Sequence, residues 1–179
     1  MKKITYIGRL AVTSGFLLVL VGCANLRDVD HRWCAEEEVV AHHEVISLQA
    51  DALFAFDGGT MDDMQLEGKK QLDNLAISLP EAYASIEHIV IEGHTDRLGA
   101  VQYNQRLSQV RAETVKSYLQ QKGVNAPMTA VGYGASNPVS TGCIGTRATD
   151  ELIKCLQVDR RVNVCLLYTS DAADDIALV

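Results

Sequence analysis

The spacing of apolar residues predicts a strand followed by a long helix in the first half of the chain. Apolar and polar positions alternate loosely from Ile46 to Phe56, which predicts the first β-strand. Asp57-Gly58-Gly59 then predicts a turn. From Thr60 to about Leu79 the apolar residues recur every three or four positions, as on one face of an amphipathic helix: Met61, Met64, Gly68, Leu72, Leu75 and Leu79.

Both ends of this helix carry local signals. Thr60 with Asp63 resembles a capping box at the start, and Pro80 is expected to stop the helix. Gly68 lies on the apolar face, where it predicts close backbone packing against the sheet.

The second half of the chain continues the alternation of strands and helices. Ile86 to Ile91 is a β-branched run typical of a central strand, and a helix is predicted from Val101 to Gln121. Met128 to Tyr133 predicts a third strand, and Arg161 to Leu166 a last strand after a short helix. The order β-α-β-α-β-(α)-β predicts an α/β (α+β) two-layer sandwich, with helices packed on a mixed four-stranded sheet.

The first 22 residues have the pattern of an export signal. A positively charged start precedes an apolar run from Leu10 to Val21, which is too short for a comfortable membrane span. The run ends in Leu20-Val21-Gly22-Cys23, which resembles a bacterial lipobox in which Cys23 is acylated. Ala24 favours, by that resemblance, sorting to the outer membrane. The alternative is an ordinary signal peptide cut nearby, which leaves Cys23 as a plain thiol.

Composition divides the remainder of the chain into three segments. Residues 23–44 are polar and charged without a clear period, which predicts a flexible tether. Residues 45–166 hold the predicted strands and helices of one domain. Residues 167–179 resemble translated adapter sequence, and we expect the chain to lack fixed structure after about Ser170, although Cys165 to Tyr168 can extend the last strand.

Charge excludes one class of partner. After the signal, 23 Asp and Glu stand against 13 Lys and Arg, a balance of −10. Nucleic-acid phosphates repel such a chain, so no nucleic-acid partner is predicted. Adjacent residues such as His42 and His43 make a poor chelate, and we expect no metal or other cofactor.

The other cysteines differ in their predicted roles. Cys143 and Cys155 are twelve residues apart in a compartment where disulfides persist, and we predict a bridge between them. Neither has the CxxC or His companions of a metal site. Cys34 has no assigned role, and Cys165 lies where the adapter-like sequence begins.

One pair of opposite charges carries the functional hypothesis. The stretch Gly93-His94-Thr95-Asp96-Arg97 places the Asp96 carboxylate at the end of an apolar strand, and Arg111 lies on the helix that follows. Asn104 and Leu107 share the helix face of Arg111, because two turns separate positions 104 and 111. A carboxylate and a guanidinium so placed can hold a ligand that carries both an ammonium and a carboxylate group.

Several stretches together resemble the OmpA C-terminal-like family, which includes the peptidoglycan-associated lipoprotein and MotB. The resemblance covers roughly Leu48 to Val164. Its stretches follow the family's order and spacing: Phe54-Ala55-Phe56-Asp57, Glu92-Gly93-His94-Thr95-Asp96, Asn104 to Ala112, Gly132-Tyr133-Gly134, and Asp159-Arg160-Arg161-Val162-Asn163. The insert with the two bridged cysteines is also similar to that of enterobacterial members. The resemblance implies a periplasmic, non-catalytic domain that binds peptidoglycan and links the outer membrane to the wall.

The resemblance also implies which residues contact the wall. The free end of diaminopimelate in a stem peptide is a zwitterion, so Asp96 is expected to hold its ammonium and Arg111 its carboxylate. Thr95 is expected to offer hydroxyl or backbone contacts, Asn104 a hydrogen bond, and Leu107 an apolar surface for the methylene chain.

Two further residues complete the expected pocket. By resemblance these are Asp57 and Arg160, with Arg161 as the adjacent alternative. Each expected site residue also has an ordinary structural alternative. Asp96 would cap the next helix, and Arg111 would form a surface salt bridge. Asp57 would fix the turn, Asn104 and Leu107 would be helix surface and core, and Arg160 would be a solvated charge.

Two other functions stay open at the level of sequence. The domain could be an envelope interaction module, with a protein partner and weak or lost wall binding. A cell-wall hydrolase would use His94 and Asp96 as the base and Ser108 as the nucleophile. However, Ser108 has no nucleophile-elbow context, and no zinc-type spacing is present.

Overall fold

A computed structural model describes residues 40–83 and 85–170. The strands are β1 (Val40–Gln49), β2 (Ser85–Gly93), β3 (Met128–Gly132) and β4 (Arg161–Ser170). The helices are α1 (Ala50–Leu53), α2 (Leu66–Ala82), α3 (Val101–Gln121) and α4 (Asp150–Cys155), which continues into a 3₁₀ turn over Leu156–Asp159. The predicted export signal, the lipobox, Cys34 and the chain after Ser170 lie outside the described residues. No helix within the described ranges combines the length and apolarity that a bilayer crossing requires.

The four strands form one mixed sheet in the order β1-β4-β2-β3. β4 is antiparallel to both β1 and β2, whereas β2 and β3 are parallel. The parallel pair is joined through α3, because parallel neighbours need a long crossover connection. The predicted fold class, with helices packed on a mixed four-stranded sheet, is confirmed.

The core lies between the helices and one face of the sheet. Ile89 and Ile91 of β2 and Val162 and Val164 of β4 are fully buried there, at alternate positions along each strand. The helices contribute fully buried residues at helical spacing: Leu72, Leu79, Val115 and Leu119. Burial of such side chains stabilises the fold by roughly 1.5–3 kcal/mol each.

Two glycines let α3 lie directly on the sheet. A Cβ at Gly93 would be 2.0 Å from the carbonyl oxygen of Ser108, and one at Gly132 would be 2.4 Å from the backbone nitrogen of Gln109. No other residue fits at either position without moving the helix. Gly68 also packs closely, as predicted, but its neighbour is the backbone of Leu53 at the end of α1 and not the sheet, because a Cβ there would lie 2.6 Å from the Leu53 Cα.

The first strand differs from its predicted position. It spans Val40–Gln49, and the stretch predicted to continue it to Phe56 forms α1 and a bridge between Phe54 and Met64. β1 is paired with β4 along its whole length, from Val40 opposite Ser170 to Gln49 opposite Arg161. This non-local pairing brings residues 40–44 of the predicted tether and residues 167–170 of the predicted tail into the sheet.

The boundaries of α2 also differ from the prediction. The helix starts at Leu66 and not at Thr60, because the Asp63 carboxylate closes a turn instead of capping a helix. The Asp63 carboxylate accepts hydrogen bonds from the backbone nitrogens of Gly59 and Thr60 and from the Thr60 hydroxyl. Pro80 lies inside the helix, which ends at Ala82. The loss of one backbone donor so near the end removes a single helical hydrogen bond.

The close approach of α3 predicts that Gly93→Ala destabilises the domain by roughly 3 kcal/mol, because the added methyl group meets backbone that cannot move alone. Gly142→Ala is the matched control. Gly142 has a φ of 72° but open space around it, so the cost should be about 1 kcal/mol. Urea unfolding of the two variants measures the difference, and equal destabilisation would contradict the packing argument.

Candidate ligand-binding site

A cavity of about 570 Å³ opens where β1 and β2 end and β4 begins. All seven residues predicted to contact a ligand line it: Asp57, Thr95, Asp96, Asn104, Leu107, Arg111 and Arg160. Further lining residues escaped the sequence prediction: Asp51, Gln65, Leu98, Gly99, Tyr103, Ala148 and Ile153. Tyr103 carried a usable signal, since it is one helical turn before Leu107 and two before Arg111. Asp51 carried none, because only the β1–β4 pairing brings it near Arg160.

Asp96 lies buried in the loop between β2 and α3. Its Oδ1 accepts a hydrogen bond from the backbone nitrogen of Leu98 at 2.8 Å, the local capping contact that was the structural alternative. Its Oδ2 is 2.8 Å from Nη1 of Arg160, which forms an ion pair. The carboxylate is therefore held in one orientation by two donors while it lines the cavity.

Asn104 holds the loop that carries Asp96. Its Nδ2 donates to the carbonyl oxygens of Asp96 at 3.1 Å and of Leu98 at 2.9 Å. Both hydrogens of the amide are thereby used on backbone, and its Oδ1 remains as the acceptor toward the cavity.

Arg111 is a buried cation, with only 4% of the residue exposed. Its Nε donates to the Gly58 carbonyl oxygen at 2.8 Å, and its guanidinium carbon lies 5.6 Å from the centre of the Phe54 ring. Burial lowers the pKa of Arg111, yet the group stays charged because an arginine does not lose its proton in proteins. Among the described residues, no carboxylate lies within ion-pair distance of it.

Arg160, in contrast, is surrounded by acceptors. Its Nε and Nη2 lie 3.0 and 2.8 Å from the two carboxylate oxygens of Asp51. Its Nη1 donates both to Asp96 and, at 3.2 Å, to the Ile153 carbonyl. The hydrogen bonds that Arg160 donates, chiefly to Asp51 and also to Asp96, raise its pKa above the usual value for arginine. Arg161, the sequence alternative, does not line the cavity, and its guanidinium donates to the carbonyls of Asp159 and Asn137.

One part of the cavity wall pairs a carboxylate with a phenol. Asp57 adopts a left-handed conformation with a φ of 62°, and its Oδ1 accepts a short hydrogen bond from the Tyr103 hydroxyl. That hydrogen bond raises the pKa of Tyr103. Nearby, the Thr95 hydroxyl is buried and finds no hydrogen-bond partner among the described residues, which is rare for a buried oxygen.

Of the residues in the hydrolase hypothesis, only Asp96 lines the cavity, and His94 and Ser108 lie elsewhere. The His94 ring is 1% exposed, stacks on Tyr133 at 5.4 Å and does not line the cavity. The Ser108 hydroxyl is buried, donates to the Gln105 carbonyl and accepts from the Gly134 nitrogen. Both side chains are committed to packing between α3 and the ends of the strands.

Cys143 and Cys155 are joined by a disulfide, with 5.7 Å between their Cα atoms. The bond closes the insert between β3 and β4, which contributes Ala148 and Ile153 to the cavity wall. Cys165 on β4 is a free, half-buried thiol, and burial raises its pKa to about 11.

His94 predicts a pH dependence of stability. Burial, followed by the charge of Arg161, lowers the pKa of His94 below its usual value of about 6.5. Below about pH 6.5, His94 binds a proton in the unfolded chain but stays neutral in the folded chain. The free energy of unfolding therefore falls as the pH drops below about 6.5 and is fully retained above it. Urea unfolding between pH 7.5 and 5 should show this slope, and His94→Gln should flatten it. A variant with the wild-type slope would refute the assignment.

Comparison with known proteins places this chain in one family. Residues 53–149 match the OmpA family. The chain is 42% identical over 120 residues to Outer membrane protein A of Shimwellia blattae, which covers 66% of this chain and 48% of that protein. It is 40% identical over 129 residues to the protein of the same name from Klebsiella pneumoniae, covering 71% of this chain and 36% of that protein. The chain thus spans about half or less of these relatives.

A solved structure shares the fold at lower identity. The periplasmic domain of Helicobacter pylori MotB superimposes with a TM-score of 0.55 at 21% identity, covering 77% of this chain and 92% of that one. That likeness concerns the arrangement of strands and helices alone. The family match over residues 53–149, which include most of the cavity wall, carries the assignment. The chain belongs to the OmpA family.

Proposed function

We propose that this protein binds peptidoglycan non-covalently, through the free end of diaminopimelate in a stem peptide. The observation that carries the proposal is Arg111: a buried guanidinium beside an open cavity, with no carboxylate of the described chain within ion-pair distance. A buried charge without a partner is costly, and a carboxylate on a ligand would provide one. The planar fork of arginine suits such a group because it can donate two parallel hydrogen bonds.

The opposite charge needed for a zwitterion stands on the same cavity. Asp96 and Asp57 both line it, and the Tyr103 hydroxyl engages one oxygen of Asp57. An ammonium group of the ligand between these two carboxylates would donate hydrogen bonds to their remaining acceptor sites. Arg160 does not compete for the ligand carboxylate, because Asp51, Asp96 and the Ile153 carbonyl already use its donors.

Apolar and neutral groups fit the remainder of the ligand. Leu107 and Leu98 line the cavity at positions suited to a methylene chain. The Thr95 hydroxyl, unpartnered within the described chain, and the Oδ1 of Asn104 would supply neutral hydrogen bonds. The ligand class thus combines two opposite charges, an aliphatic spacer and polar backbone groups, as a stem peptide does.

The proposal extends to location. Two relatives are outer membrane proteins by name. With the lipobox at Cys23, we propose that acyl chains hold this chain at the outer membrane and that the domain tethers the membrane to the wall from the periplasm.

The competing function is an envelope interaction module. It is favoured by large exposed apolar side chains: Phe56 on the cavity wall, Val101 at the start of α3 and Ile144 in the disulfide-closed loop. Such a module would bind a protein through this rim and would not need the buried charges of Asp96 and Arg111. Binding to purified sacculi therefore separates the two functions.

We expect Arg111→Ala and Asp96→Ala each to weaken binding to purified sacculi about ten- to a hundredfold, since each removes a charge-assisted contact. Arg111→Lys keeps the charge without the fork and should restore binding only in part. Detergent-solubilised full chain, co-sedimented with sacculi at moderate salt, provides the measurement.

Arg106→Ala is the matched control for these variants. Arg106 lies on the exposed surface of α3 and does not line the cavity, so its removal should leave binding unchanged. Thermal unfolding of every variant checks that the fold is intact. Binding at the wild-type level by both Asp96→Ala and Arg111→Ala would contradict the assignment of the pocket. Release of soluble wall fragments would indicate a hydrolase.

The anchor is tested separately with Cys23→Ser. This variant should lose incorporation of labelled palmitate and leave the outer-membrane fraction, because acylation needs the thiol. Cys34→Ser offers a control only eleven residues further along the chain. This variant should still incorporate labelled palmitate and stay in the outer-membrane fraction. Membrane retention of an unlabelled Cys23→Ser protein would contradict the lipid anchor.

A further inference from the structure

The disulfide-closed insert between β3 and β4 forms part of the cavity. Ala148 and the helix residue Ile153 line the cavity, and both lie between the bridged Cys143 and Cys155. At its base the Asp159 carboxylate accepts hydrogen bonds from the backbone nitrogens of Val139 and Ser140 at 2.7 and 2.8 Å. The insert is thus fixed at its root and closed near its middle, so its position relative to the cavity is defined.

A direct contact ties the insert to the loop that carries Asp96. Arg97, the next residue, donates from Nη2 to the carbonyl oxygens of Cys143 at 2.7 Å and Gly145 at 2.9 Å. Both carbonyls belong to the disulfide-closed loop. The disulfide limits how far these two carbonyls can move from Arg97, whereas an open loop would have more freedom to move away from it.

A second contact reaches Asp96 from the other side. The Ile153 carbonyl in α4 accepts from Nη1 of Arg160, and the same nitrogen is 2.8 Å from Asp96 Oδ2. Asp51 fixes the rest of the guanidinium through both of its carboxylate oxygens. The Ile153 carbonyl is thus one of the groups that position Nη1 of Arg160 toward Asp96, and the disulfide holds the helix that carries this carbonyl.

We infer that the disulfide-closed insert, through Arg97 and Arg160, is a positioning element that sets how tightly Asp96 holds the ammonium of the ligand. The inference rests on the proposed function. Within its own loop the Asp96 carboxylate is held by the Leu98 nitrogen. Arg160 orients its second oxygen, and Arg97 ties the backbone next to Asp96 to the insert. The structure thereby assigns binding specificity to residues outside the charge pair itself.

Two synthetic stem tripeptides test the inference. One ends in diaminopimelate; the other carries 2-aminopimelate at that position, so its free end keeps the carboxylate and lacks the amine. Wild-type full chain in detergent should prefer the first peptide about tenfold in calorimetric titration, because one charge-assisted contact distinguishes them. The double variant Cys143→Ser/Cys155→Ser should lose most of that preference, by weaker binding of the first peptide and less than about a twofold change for the second.

Arg97→Met keeps the disulfide and provides an independent arm. Removal of the Arg97 guanidinium takes positive charge away from the ammonium site. Electrostatics alone would then strengthen binding of the amine, because repulsion between like charges is reduced. We expect the opposite, a loss of preference like that of the double variant. Arg147→Met removes one positive charge from the insert itself, and Arg147 does not line the cavity, so this variant should behave as wild type.

The outcomes are separable. Equal weakening of both peptides would mean general loosening and would overturn the positioning role, as would an unchanged preference in both insert variants. If the wild-type protein binds neither peptide, the proposed function falls, and this inference falls with it. Weaker binding confined to the amine-bearing peptide supports the inference even if the double variant is less stable.

Discussion

The contact on which the rest of the structure depends is the backbone-to-backbone packing of α3 on the ends of β2 and β3. Gly93 and Gly132 have no side chains, so Ser108 and Gln109 can meet the strands directly. These two residues lie between Leu107 and Arg111, and their contact fixes the rotation of the helix. Leu107 and Arg111 consequently face the cavity, next to the loop in which β2 delivers Asp96. A helix raised by one methyl group would carry its cation away from that carboxylate.

Charge is distributed unevenly among the two arginines of the cavity. Arg160 is saturated by carboxylates and a carbonyl, whereas the buried Arg111 has a single carbonyl and an aromatic face within the described chain. The first arrangement is typical of a structural ion pair, in which both partners offset the cost of desolvation. In the second, Asp51 and Asp57 attract the guanidinium from beyond ion-pair distance and so offset less of that cost. The two residues look equivalent in a sequence motif, and only their partners distinguish them.

What could be predicted from the sequence follows the range of the interactions involved. The phase of α3 is a local pattern, and helical spacing alone therefore suffices to place Asn104, Leu107 and Arg111 on the face that lines the cavity. Asp51 was missed because a strand pairing distant in sequence brings it to Arg160. The predicted start of α2 was wrong because the Asp63 side chain satisfies a turn as readily as a helix end. Tyr103 was overlooked although its helical phase was readable.

The direction of β1 has a mechanical consequence. Val40 enters the sheet opposite Ser170, while the cavity lies at the far end, beside Gln49 and Arg161, a strand length of about 30 Å away. Tension between the polypeptide ahead of Val40 and a molecule gripped in the cavity would run parallel to β1 and β4. The hydrogen bonds between these antiparallel strands would then be stretched together in shear and not unzipped one after another. Such a geometry is suited to a coupling that must withstand pulling.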